Sequence, residues 1–150
     1  MLGFTAGGSL AWTPDHSGFY YTRYPREGER PEEDMAFYMQ VYHHTIGEPT
    51  ENDRYENGKD WPRIAEIQLQ VNETDGQVLA TVQKGDGGEF ALHVRDTSGQ
   101  WHQVSDFEDP LVQATFRPNN SLFVIARGDS PRGKIQTINL ANPTLDAATA

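Results

Sequence analysis

The chain has 150 residues and a formal net charge of −10, from 22 acidic against 12 basic residues. That length suffices for one domain with a real core, and the charge argues against nucleic acid and against an anionic membrane surface, both of which need clustered Lys and Arg. There is no cysteine, which excludes a disulfide scaffold, a thiolate zinc site and a cysteine nucleophile, and no apolar run approaches the ~20 residues of a membrane helix.

Met1 to Leu10 has no basic n-region and no long apolar core, so it does not read as a signal peptide, and a cytoplasmic location is expected. The first strand pair is LAWTPDHSGFYYTR at 10–23, in which Asp15 precedes the turn glycine. Arg26 to Asp34, REGERPEED, has mixed signs and a proline and reads as a solvated loop. FYMQVYHHTIG at 37–47 is the next strand, and Asn52 to Asp60 reads as a polar link from the first blade to the second.

From residue 64 the period is plainly two. Ile67, Leu69 and Val71 alternate with glutamines; Val78, Ala80 and Val82 alternate with Leu79, Thr81 and Gln83; Phe90, Leu92 and Val94 alternate with Ala91, His93 and Arg95. Thr74-Asp75-Gly76, the KGDGG run at 84–88 and Thr97-Ser98-Gly99 separate these runs with residues that tolerate tight turns. Four antiparallel strands are predicted at 64–72, 77–83, 89–95 and 100–104, the unit of a propeller blade.

The unit repeats. LAWTPDHSGFYYTR at 10–23, LQVNETDGQVLATV at 69–82 and ATFRPNNSLFVIAR at 114–127 share a strand, a polar turn and a second strand. Their partners are FYMQVYHHTIG, EFALHVRDTSG at 89–99 and GKIQTINLANP at 133–143, with inward anchors expected at Trp12, Val71 and Phe116 and then at Val41, Val94 and Ile138. The prediction is an all-β chain, a partial β-propeller of about three four-stranded antiparallel blades at 4–55, 61–105 and 110–143, with a fraying tail from Thr144.

Little of the sequence promises chemistry. None of Ser9, Ser17, Ser98, Ser105, Ser121 and Ser130 lies in G-x-S-x-G, so no catalytic residue is assigned. His43 and His44 are adjacent on a strand and point to opposite faces, so they cannot chelate one metal together; no metal or other cofactor is expected. Asp15, Asp75 and Asn119-Asn120 are read as turn residues, and Trp12 and Trp61 as core anchors. In the aromatic run, Phe19 and Tyr21 are assigned to packing between blades, and Tyr20, facing oppositely, to lining a central tunnel.

AWTPDHSGFYYTRYP at 11–25 resembles a stretch of the prolyl oligopeptidase propeller, a Trp-Thr, an Asp-Gly turn and an aromatic run ending in Tyr-Pro. VYHHTIGEPTEND at 41–53 is similar to the next segment of that family, in the same order and at about the same spacing. Later units, such as DGQVLATV at 75–82, match in pattern only.

The resemblance implies a seven-bladed propeller over an α/β-hydrolase domain, gating short proline-containing peptides toward a Ser-Asp-His triad carried by that other domain. It implies that this chain hydrolyses nothing alone, that its partners are the hydrolase domain and further blades, and that Tyr20 is the position to border a substrate pocket. About three blades would also leave open faces able to self-associate, among them the row of Phe123 and Ile125. The alternative is a stand-alone β-propeller-like module that binds protein or peptide.

Overall fold

The computed structural model describes residues 8–150. Three antiparallel meanders succeed one another along the chain. The first sheet holds β1 (Leu10–Trp12), β2 (Gly18–Arg23), β3 (Gln40–Thr45) and β4 (Arg54–Asn57), in that spatial order. The second holds β5 (Ala65–Val71), β6 (Val78–Lys84), β7 (Phe90–Arg95) and β8 (Trp101–Ser105), close to the four runs predicted. The third holds β9 (Leu111–Arg117), β10 (Ser121–Ala126) and β11 (Lys134–Asn139). The expected start of the first blade at residue 4 lies outside the described residues.

Two cores join the sheets. Tyr20 and Val41 of the first sheet, with Met39 just ahead of β3, meet Trp61, Ile67, Val78, Ala80 and Val82. Leu79, Leu92, Val94 and Val104 meet Leu111, Leu122, Val124, Ala126 and Ile138 of the third. The middle sheet is therefore covered on both faces, which is why β6 is apolar at consecutive positions from Val78 to Ala80: odd and even side chains enter different cores. Each fully buried Val, Leu or Ile in these rows contributes roughly 1.5–3 kcal/mol of transfer free energy.

The turns behave as their residues dictate. The Ser17 amide donates to Asp15 Oδ1 and the Gln77 amide to Asp75 Oδ1, both at 3.0 Å, and Asn119 and Asn120 take left-handed φ of 66° and 53°. Gln77, 4% exposed, spends its side-chain N–H groups on Asp75 and on Asn120 of the third sheet, and so ties two turns together.

Several expectations need correction. The polar stretch at 52–60 is no mere link, because it carries β4. Its strand is short and polar at Arg54 and Glu56, so no apolar alternation marks it; pairing with the edge of β3 makes it. The tail does not simply fray: Leu145 and Ala148 pack on the second core, and Thr149 exchanges backbone hydrogen bonds with Thr137 at 2.7 and 2.9 Å. That bridge occupies the place of a fourth strand in the third sheet, which has three. Trp61 is buried as expected, but Trp12 is 47% exposed, since it pairs with Phe19 on the face of the first sheet turned away from the second.

Candidate functional site

The opening strands of the sheets, β1, β5 and β9, are held side by side. The Leu69 amide donates to Ser9 Oγ at 3.0 Å, and the Gln70 side-chain amide donates to Thr115 Oγ1 at 3.1 Å. The side chains these strands leave exposed include Glu66, Gln68 and Gln70 on β5 and Gln113, Thr115 and Arg117 on β9. The three carboxamides and the Thr115 hydroxyl, flanked by Glu66 and Arg117 of opposite charge, offer donors and acceptors to a passing polar chain with little net charge.

Tyr20, the expected lining residue, is 5% exposed and lies in the core between the first two sheets. Its ring meets His43 edge-on at 4.9 Å, and the Arg95 guanidinium lies 5.6 Å from its centroid. Burial raises the Tyr20 hydroxyl above its ordinary pKa, and burial followed by the charge of Arg54 lowers His43. Tyr20 therefore packs between the first two sheets rather than lining an open channel, while Phe19 and Tyr21 stand on the opposite face with His44.

Beside Tyr20, Glu56 bridges the two sheets. Its side chain is 5% exposed and accepts from Arg54 Nε at 2.8 Å, Arg95 Nε at 2.9 Å and Trp101 Nε1 at 3.1 Å. Nearby His93, 8% exposed, lies against the Trp61 ring at 5.0 Å, and burial pushes its pKa down to about 4.

Two carboxylate–histidine pairs stand on these sheets. On the free face of the first sheet, Tyr21 Oη donates to Asp53 Oδ2 at 2.5 Å, and His44 Nδ1 lies 2.6 Å from Asp53 Oδ1. Burial works to raise Asp53, but these two bonds outweigh it and hold the carboxyl below its usual range, while burial and then Asp53 push Tyr21 up to about 12.

In the second sheet, Ser98 Oγ donates to Asp96 at 2.5 Å and His102 Nε2 lies 2.7 Å from the same carboxylate; the Ser98 hydroxyl and then His102 hold Asp96 well below the ordinary range. A hydrolytic triad needs the imidazole between serine and carboxylate. Here the carboxylate is in the middle, so the cluster caps the turn at 96–100 and activates no nucleophile. His43 and His44 point to opposite faces as expected, and no group of three metal-binding side chains occurs among the described residues. The roles of Asp53 and Glu56 had no signal in residue spacing, since Tyr21, His44, Arg95 and Trp101 lie on other strands.

Consecutive meanders of four, four and three strands, stacked face to face with their opening strands together, define a partial β-propeller. Residues 3–148 match the family described as the prolyl oligopeptidase N-terminal β-propeller domain, and the chain belongs to that family. Solved structures agree in fold. A chain from a structural and mechanistic analysis of two prolyl endopeptidases superposes with a TM-score of 0.76 at 16% identity, over 95% of this chain and 21% of its own. Apo prolyl oligopeptidase B from Galerina marginata gives 0.72 at 19%, over 94% and 20%, and oligopeptidase B from Leishmania major gives 0.65 at 13%, over 89% and 18%. The chain thus spans about a fifth of the length of these structures. No curated protein matches it.

Proposed function

We propose that these blades belong to the propeller of a prolyl oligopeptidase-like serine endopeptidase, where they restrict access of short peptides to a catalytic domain. The observation that carries this reading is the family match over residues 3–148, in blades whose serine, histidine and aspartate side chains form no triad among the described residues. The uncharged polar side chains along β5 and β9 suit a peptide path, because they hydrogen-bond a passing backbone without holding one charge state. Hydrolysis is then the work of an α/β-hydrolase domain, and the blades act by exclusion.

Two measurements test it. The chain alone should leave proline-containing peptides intact and take no label from a serine-directed phosphonate; stoichiometric labelling of any serine would end the non-catalytic reading. The reading frame that encodes these blades should also encode G-x-S-x-G with Asp and His downstream, and its product should cleave a ten-residue proline-containing peptide but not a folded protein. Equal cleavage of both would refute the gating role.

A further inference from the structure

The first two sheets are closest at β1 and β5 and spread apart toward β4 and β8, so large side chains fill the wide end of the wedge. They do not fill it completely. A cleft of about 440 Å³ stays open between the two outer strands. Its walls carry Tyr55 from β4, Trp61 from the loop after it, Trp101 from β8 and Phe107 just beyond.

Each ring is fixed by the protein itself. The Lys59 amide donates to Tyr55 Oη at 3.0 Å, Trp61 lies against His93, Trp101 is tethered to Glu56, and Phe107 packs on the core shared by these sheets. Aromatic rings held in place ahead of binding are the requirement for a cage that attracts cations.

Charge agrees. Asp60 and Asp106 stand exposed at the cleft, and neither belongs to an ion pair among the described residues. Lys59 is the base that shares the lining. The side-chain carbonyls of Asn57 and Gln103 add acceptors, and His93 at the floor is neutral near pH 7 because of its burial. The Lys84 ammonium, 5.9 Å from the Phe107 ring, is a resident cation that an incoming guanidinium would have to displace from or share with that ring. Elsewhere the chain stacks Arg23 on Tyr42 at 3.7 Å, Arg30 on Tyr38 at 3.7 Å and Arg63 on Phe37 at 3.5 Å.

We propose that this rim cleft between the first two blades binds an arginine side chain presented by a peptide partner. The rings of Tyr55, Trp101 and Phe107, which are not buried, would take the flat face of the guanidinium over the buried Trp61, and Asp60 and Asp106 its N–H edge, a pairing that arginine makes and a quaternary ammonium, which has no N–H, does not. The cleft lies at the outer strands, away from β1, β5 and β9, so this binding is separate from any passage of substrate past those strands.

The test is a tryptophan-fluorescence titration of the full chain with acetyl-Gly-Arg-Gly-amide. Saturable binding with a Kd of order millimolar is expected for one exposed cation–π site, with the citrulline analogue at least about tenfold weaker. Asp106→Asn and Asp60→Asn should each weaken binding about threefold, and Phe107→Leu about fivefold. Trp12→Phe, on the far face of the first sheet, and Asp129→Asn, on the third, should change nothing.

The aspartate variants alter exposed side chains and keep the fold testable even if Phe107→Leu loosens it. Equal binding of the citrulline peptide, an equal effect of Asp129→Asn, or the absence of saturation would overturn the proposal. Tetramethylammonium binding as tightly as the arginyl peptide would overturn the peptide assignment in favour of a free organic cation.

Discussion

Glu56 is the charge on which the junction of the first two blades rests, and Glu56→Ala is its sharpest test. The side chain is 5% exposed, and its partner Arg95 is 17% exposed. Removing the carboxylate leaves Arg95 Nε and Trp101 Nε1 without their acceptor inside the wedge. Breaking a fully buried pair costs about 3–5 kcal/mol, and each stranded donor about 1–3 kcal/mol. Arg95 and Arg54 retain some access to water, which places the expected loss near the lower end, about 3 kcal/mol.

For a chain of this size that is a fall in Tm of about 6–12 °C. Urea unfolding followed by far-ultraviolet dichroism, with the thermal melt alongside, measures it. Glu56→Gln should lose less than Glu56→Ala, because its carbonyl can still accept from Arg95 and Trp101 while the charge is lost and its amide faces the exposed Arg54. Arg95→Met combined with Glu56→Gln should restore part of the loss, since both charges then leave together. A loss under about 0.5 kcal/mol, or strictly additive single changes, would show that the pair does not couple the blades.

The same core and faces set other outcomes. Folding keeps His93 neutral, with its pKa down at about 4 against an ordinary 6.5, so the unfolded chain takes up the proton first as pH falls. This contribution is complete above about pH 6.5 and is lost between there and 4; at pH 5 it should cost about 2 kcal/mol relative to pH 7, and His93→Phe should flatten the urea midpoint over that range. Gly58 has φ +113°, and a Cβ there would meet the Trp61 ring at 2.9 Å and Gln40 Cα at 3.2 Å. Gly58→Ala should therefore lower stability by about 1–3 kcal/mol in a melt and shift Trp61 fluorescence; an unchanged melt would contradict the close approach. The outer faces of the first and third sheets expose Trp12 at 47% and Ile135 at 64%, and burying a few hundred Å² of such surface supplies several kcal/mol. Light scattering at high salt should show self-association that Trp12→Lys with Ile135→Lys abolishes; a monodisperse monomer at high concentration would refute it.

What the sequence determines by itself is local. Alternation from Ile67 to Val94, with Asp and Gly between the runs, specifies strands and hairpins because side-chain period and turn conformation are properties of neighbouring residues. It leaves open which of two unlike faces is covered. In β2 both faces are aromatic, so Phe19, Tyr20 and Tyr21 carry no mark of direction; the stacking of the second sheet on the Tyr20 side decides it, and the same choice leaves Trp12 outside.

β4 and the Thr149 bridge escaped detection because their pairing is supplied by the edge of a neighbouring strand rather than by an apolar pattern of their own. Glu56 lies in a stretch read only as a polar link, and Asp53 reads only as the end of the segment at 41–53 that resembles the family. Only when separate strands come together do Arg95 and Trp101 reach the one, and Tyr21 and His44 the other, since a hydrogen bond between distant residues leaves no trace in the spacing along the chain.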